Sequence, residues 1–243
     1  MSQAQWAANK LKILALMNDE RYKFALEFYA DTDPGAEGGY KEMNLLPQLD
    51  WKIKTLRIHP GGKAKNSHWR LSLTTADGKR TFFNNSTQYL SNSYGQMRIG
   101  PGRDSMDVIG LGLEIIGFNL ELTSDQHHLG DFLEALLHPP ENQNDGVYED
   151  RPFCWYLYNG FPVSGQALEC RHWVQAAARA FHHKGLISKD PSEIFNALNK
   201  DYGYPDGRIM KGTFFREKPK NLLQTWRTEK HQADQRDGFP DWK

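Results

Sequence analysis

An Asp-Gly turn between two β-rich segments is the feature that most constrains the fold of this chain. The segment 68–74 reads His-Trp-Arg-Leu-Ser-Leu-Thr, the segment 80–84 reads Arg-Thr-Phe-Phe-Asn, and Asp77-Gly78 lies between them. Glycine accepts the positive φ that a tight turn requires, and β-branched and aromatic residues favour extended backbone. The pattern therefore predicts an antiparallel β-hairpin.

Other segments add strands and helices around this hairpin. Residues 51–58 alternate at period two and predict a strand that ends at the His59-Pro60-Gly61-Gly62 break. A polar loop is expected from Asn84 to Ser93. Residues 107–122 are apolar with glycines and fit strands or a bent helix. An aromatic strand is predicted at 153–158, and helical spacing is found at 5–30, 132–137, 167–181 and 191–199.

The order of these elements predicts an α+β fold. Strands precede the alanine-rich helix and further helical residues follow it, which is typical of an antiparallel sheet with helices packed on one side. We expect one domain over residues 1–217, with its core at 51–215, followed by a polar C-terminal tail at 218–243. The length of 243 residues suits one sizeable domain.

Composition argues against several classes of protein. Thirty Lys and Arg balance thirty Asp and Glu, whereas a generic nucleic-acid binder carries a basic excess. The longest weakly polar run, 108–116, is too short for a membrane span. Without a secretory signal pattern, we expect a cytoplasmic protein. Two cysteines, Cys154 and Cys170, cannot complete a four-thiolate zinc site, and we expect neither a metal nor a cofactor.

Three residues could together carry thiol chemistry. Cys170 lies at the front of the alanine-rich helix, and His68 and Asn84 lie at the outer ends of the hairpin strands. Antiparallel pairing brings those two strand ends together, so that a helix packed on the sheet could supply the sulfur. Such catalysis needs a nucleophile, a nearby base and a polar group that orients the base.

Short motifs around these residues resemble a known fold. Residues 66–73 (Asn-Ser-His-Trp-Arg-Leu-Ser-Leu) and 169–174 (Glu-Cys-Arg-His-Trp-Val) are similar to the His-Trp strand and the cysteine-bearing helix start of the circularly permuted papain-like fold. That group includes the lecithin-retinol acyltransferase-like and NlpC-related proteins. The closer resemblance is to a fungal protein family of unknown function, which also has a Gly-Thr-Phe-Phe-type stretch like residues 211–215.

This resemblance implies a cysteine-dependent hydrolase or acyltransferase that acts on a small amide, ester or thioester. Cys170 would be the nucleophile and His68 the base, with Asn84 or Asn85 as the polar third member. The expected substrate is a small molecule. The expected substrate-binding residues lie within the two motifs or belong to the aromatic segment before the helix, and they are Trp69, Arg70, Trp155, Tyr158 and Trp173.

Other interpretations of the same residues stay open. Cys170 shares a helical face with Trp173, Val174 and Phe181, and a free cysteine often behaves as a small buried hydrophobe. A cofactor-free biosynthetic enzyme, such as a cyclase or isomerase, would use the same cavity without a covalent intermediate. A non-catalytic binding module is the third alternative. The sequence does not determine the oligomeric state.

Overall fold

The computed structural model describes residues 3–17, 48–60, 69–87, 94–100, 118–137, 155–157, 169–198 and 213–215. The strands are β1 (Ile53–Pro60), β2 (Trp69–Thr75), β3 (Arg80–Thr87), β4 (Tyr94–Gly100), β5 (Phe118–Leu120), β6 (Trp155–Leu157) and β7 (Thr213–Phe215). The helices are α1 (Gln3–Met17), α2 (Leu129–Leu137), α3 (Glu169–His183) and α4 (Pro191–Leu198). None of these helices has both the length and the apolar content that a membrane crossing requires.

The described strands form one sheet in the order β5-β1-β2-β3-β4-β6-β7. Every adjacent pair is antiparallel. The predicted hairpin is its centre: β2 and β3 pair directly, and Gly78 in the turn has a φ of +83°. The Thr75 amide donates to the Lys79 carbonyl at 2.9 Å and closes the turn. The predicted β-hairpin around Asp77-Gly78 is thus confirmed.

The two faces of the sheet differ in chemistry. Leu71, Leu73 and Phe83 point to one face, which we call the inner face, and all three are fully buried in the core. The alternate positions, such as Arg70 and Phe82, point to the other face, which we call the outer face. On the described strands β2, β3 and β4, the residues of the main hydrophobic cluster all lie on the inner face.

The helices form layers above the inner face. Helix α3 packs across β2 and β3, α2 packs on α3, and α1 packs on α2. Phe181 of α3 joins three of these layers, because its ring lies 6.5 Å from that of Phe83 and 5.1 Å from that of Phe132. These helices and the antiparallel sheet confirm the predicted α+β class.

Some element boundaries differ from the sequence predictions. The predicted break at His59 is wrong, because β1 continues to Pro60, which pairs with Trp69. A proline is tolerated there because it ends the strand beyond the three residues that pair with β5. The loop predicted from Asn84 is also wrong at its start, since residues 84–87 pair with β4. A second neighbouring strand overrides the loop preference of those polar residues.

Helix α2 begins earlier than predicted, at Leu129 instead of residue 132. The His128 amide donates to Asp131 Oδ2 at 2.7 Å, so the carboxylate caps the first turn. Helix α3 spans 169–183 against the predicted 167–181, and Gly185 follows with a φ of +68°. Residues 18–30 of the predicted N-terminal helical segment and the predicted tail at 218–243 lie outside the described residues.

Candidate functional site

Cys170 lies in the first turn of α3, next to the first residue of β2. The Trp69 amide donates to Cys170 Sγ at 3.3 Å. Helix α3 brings the sulfur to this point because its apolar residues pack over β2 and β3. Two segments that are separated by 101 positions in the sequence therefore meet through one hydrogen bond between a strand and a helix.

The thiol is enclosed. Cys170 is 1% exposed and belongs to the main hydrophobic cluster together with Trp69, Trp173 and Val174. Burial raises the pKa of the Cys170 thiol from 9.0 to about 11, although the Trp69 amide and the charge of Arg171 act in the opposite direction. At neutral pH the thiol is therefore protonated and uncharged.

His68, the predicted base, lies outside the described residues, which resume at Trp69. The chain therefore connects His68 directly to the residue whose amide contacts Cys170 Sγ. The predicted pairing of the imidazole with the thiol stays a prediction.

The two asparagines that were candidates for the third member lie on opposite faces of the sheet. Asn85 is 1% exposed and pairs with Met97, a core residue, on the inner face that α3 covers. Asn84 is half-buried and pairs with Arg98 on the outer face. Asn85 is therefore the asparagine on the same side of the sheet as Cys170. The catalytic role of Asn84 stays a prediction.

The predicted substrate-binding residues are also divided between the two faces. Trp69 and Trp173 are buried in the core beside Cys170. Arg70 lies on the outer face, where its guanidinium carbon is 4.3 Å from the centre of the Phe82 ring. Trp155 belongs to β6, between β4 and β7, and Tyr158 lies outside the described residues. The inner face thus brings together Trp69, Trp173 and Cys170, and it does not include Arg70.

Sequence reasoning missed that Arg171 belongs to the interior. Its side chain is fully buried, and its Nη1 donates to the Leu198 carbonyl at 2.8 Å. This bond ties α3 to the last residue of α4, where a helix presents carbonyl groups that attract a cation. A signal was available in the sequence, because Ala176, Ala177 and Ala178 are consecutive small residues, which indicates a helix packed closely on more than one side.

Within the described ranges, no group of three or more His, Cys, Asp or Glu side chains is arranged to hold a metal ion. The chemistry that these residues offer is that of a neutral thiol at a helix start, with a buried amide on the same face. Comparisons with protein families, curated proteins and solved structures return no match for this chain.

Proposed function

We propose that this protein is a cysteine-dependent hydrolase or acyltransferase of permuted papain-like architecture that acts on a small amide, ester or thioester. One observation carries the proposal: the amide of the residue after His68 lies 3.3 Å from Cys170 Sγ. A strand that starts beside the base and a helix that starts beside the thiol are what the resemblance requires.

The proposed reaction begins with the protonated, uncharged thiol of Cys170. As Cys170 Sγ attacks the substrate carbonyl carbon, the thiol proton passes to the His68 imidazole and a sulfur–carbon bond forms. The imidazolium then returns the proton to the departing amine, alcohol or thiol, and the bond from the carbonyl carbon to that group breaks. Water or a second acceptor attacks the resulting thioester and releases Cys170. Amide groups of the first turn of α3 would stabilise the oxyanion.

Asn85 is the third member in this proposal. It lies on the inner face, as Cys170 does, and it is buried, so a hydrogen bond from it to an imidazole would be shielded from water. Asn84 serves as a matched comparison, because it is the same residue type one position earlier on the other face.

Thiol labelling tests the proposal. Wild-type protein is treated with a chloroacetamide and with an activated thioester, and intact-mass and peptide mass spectrometry locate the label. We expect labelling at Cys170, and we expect His68→Ala to slow it by about 100-fold or more, as for loss of a general base. Cys154→Ala is the control and should label at the wild-type rate.

The asparagine pair sharpens this experiment. Asn85→Ala should slow labelling by about tenfold or more through loss of imidazole orientation, whereas Asn84→Ala should leave the rate unchanged. If Cys170 labels only in denaturant, or if its rate in the folded protein is the same with and without His68, the dyad is refuted.

A second candidate is favoured by a different observation, the enclosure of the sulfur. A thiol that is 1% exposed with a pKa of about 11 suits a structural residue. The protein would then be a cofactor-free biosynthetic enzyme, such as a cyclase or isomerase, or a binding module. Once a substrate or ligand is identified by screening, Cys170→Ala tests the two candidates. The variant should retain turnover or binding if the thiol is structural, and it should lose turnover if Cys170 is the nucleophile.

A further inference from the structure

A groove of about 510 Å³ lies between the C-terminal half of α3 and the first turns of α4. We call it the α3–α4 groove. A tight turn after α3 creates it: Gly185 adopts a φ of +68°, and its amide donates to the His182 carbonyl at 2.8 Å. The volume falls in the range of small-molecule sites, and the groove does not include Cys170.

The two walls of the groove differ in chemistry. Arg179, His182 and His183 line it from α3, at positions i, i+3 and i+4, which share one face of a helix. Pro191 and Phe195 line it from α4. Phe195 is 37% exposed, which is unusual for a large apolar side chain in the described part of this protein. One wall is thus nitrogen-rich and the other is apolar.

The surroundings of the α3 wall disfavour the charged forms of two of its side chains. Burial lowers the pKa of Arg179. The pKa of His183 is also lowered, mainly by burial and to a smaller extent by the charges of Arg179 and His182. Asp190 is the carboxylate among the lining residues. It caps α4, because its Oδ1 accepts the Ser192 amide at 2.7 Å and also the Ser192 hydroxyl. An anion bound in the groove would oppose both shifts, because a nearby negative charge stabilises the charged forms of Arg179 and His183.

We propose that the α3–α4 groove binds a small organic anion, a carboxylate or a phosphate monoester carried on an aromatic or aliphatic body. The anionic group would contact the Arg179 guanidinium and the His183 ring, since guanidinium groups bind both kinds of oxyanion through paired hydrogen bonds. The apolar body would pack on Phe195 and Pro191. This site is separate from the proposed thiol chemistry and does not depend on it.

The test uses the full chain and three probes: phenylacetate, phenyl phosphate and neutral benzyl alcohol. Binding is followed by the NMR signals of the histidine rings and by calorimetry. We expect at least one anion to bind saturably and to shift the His182 and His183 signals, with the neutral probe weaker by about tenfold or more. Which anion binds more tightly identifies the head group.

Variants separate a built site from general charge attraction. Arg179→Gln and the exposed His183→Gln should each weaken anion binding by about tenfold, as expected for loss of one charge-assisted hydrogen bond. Lys12→Gln removes a positive charge from the exposed face of α1 and should change binding less than twofold. Thermal unfolding confirms that each variant is folded.

The proposal is overturned if neither anion saturates below about 10 mM. It is also overturned if benzyl alcohol binds as well as the anions, or if Lys12→Gln weakens binding as much as His183→Gln does.

Discussion

Helices α1 and α3 are each fifteen residues long, but different interactions hold them in place. Ten residues of α3 are buried, whereas Ile13 is the buried residue among the described side chains of α1. The sheet and two neighbouring helices enclose α3, while α1 rests mainly on α2. Equal length therefore gives very different burial, and the difference comes from what each helix packs against.

Small residues allow α3 to be enclosed. Ala177, Ala178 and Ala180 are almost completely buried, so the backbone approaches its neighbours closely. Helix α1 is held by the buried Ile13, by one aromatic side chain and by a few polar bonds. The Trp6 ring stacks on that of His128 at 4.5 Å, and its Nε1 donates to Asp50 Oδ1 at 2.9 Å. We therefore expect substitutions in α3 to cost more stability than those at the α1 contact.

The largest expected effect is that of Phe181→Ala in α3. This fully buried ring contacts Phe83 of the sheet and Phe132 of α2, so its removal leaves a cavity between three layers. We expect the free energy of unfolding to fall by about 3–5 kcal/mol, measured by urea denaturation. Leu11→Ala on α1, where the side chain is 68% exposed, is the control and should change it by less than about 0.5 kcal/mol. Similar losses for both variants would contradict the contrast between the helices.

The enclosed thiol of α3 gives the next effect, a loss of stability in alkali. Folding raises the pKa of Cys170 from 9.0 to about 11, so the folded state favours the protonated form. The resulting stabilisation is complete below pH 9 and is lost as the pH rises towards 11, by about 2–3 kcal/mol at most.

Urea unfolding at a series of pH values measures this loss. Because lysines and tyrosines also titrate there, the informative quantity is the difference between wild type and Cys170→Ala, which should lack this part of the slope. Cys154→Ala should keep it. An identical alkaline slope in wild type and Cys170→Ala would show that the thiol is accessible to water.

The comparison of α1 with α3 also shows which parts of the structure could be predicted from the sequence. The hairpin followed from Asp77-Gly78, and α3 followed from its alanine-rich apolar pattern, because both signals are local and each is reinforced by burial. The hairpin topology and the family resemblance predicted that His68 meets Cys170, and this stays a prediction, whereas the contact that the structure shows is that of the next residue, Trp69, with the sulfur. Which of Asn84 and Asn85 faces α3 could not be predicted, because the polar sequence favoured a loop there and because assigning alternate side chains to a face requires the strand register.

The contact between α1 and α2 could not have been predicted. Nothing in the local sequence connects Trp6 with Asp50 or Gly130, since these residues are distant in the chain and α1 exposes most of its surface. The alanine run of α3 indicated a helix enclosed on several sides, but it did not identify the partner of Arg171, because that partner is a backbone carbonyl at Leu198, which carries no signature in the sequence.

Gly130→Ala should disturb the α1 contact specifically. A Cβ atom at this position would lie 2.3 Å from Trp6 Cη2, so the tryptophan and the helix that carries it must move. We expect a loss of about 1–3 kcal/mol, as for an overpacked contact. The measurement is urea unfolding, with the quenching of tryptophan fluorescence by iodide as a second readout of Trp6 exposure.

A double-mutant cycle isolates the cause. In a Trp6→Ala background the added methyl meets no ring, and alanine is a better helix former than glycine by about 1 kcal/mol. Gly130→Ala should then be neutral or stabilising. If it costs as much stability without Trp6 as with it, the clash is not the reason for the glycine.

The smallest expected effect is that of Asp50→Asn, which weakens the polar part of the same contact. Asp50 accepts from Trp6 Nε1 and forms an ion pair with Lys10 at 2.7 Å on the surface. The hydrogen bond from Lys10 is the main cause that lowers the Asp50 pKa below its ordinary value of 3.8. Exposed pairs of this kind contribute only about 0.2–1 kcal/mol.

The pH dependence of stability tests this contribution. Because folding lowers the pKa of Asp50, the charged carboxylate stabilises the fold above pH 3.8, and this stabilisation is lost as the pH falls below that value. The wild type should therefore be more stable than Asp50→Asn at pH 7 and should lose that advantage below about pH 3.8. Urea unfolding at pH 7 and below pH 3.8, repeated at high salt to screen the pair, checks this. An advantage of the wild type that persists in acid would show that the charge of Asp50 is not its cause.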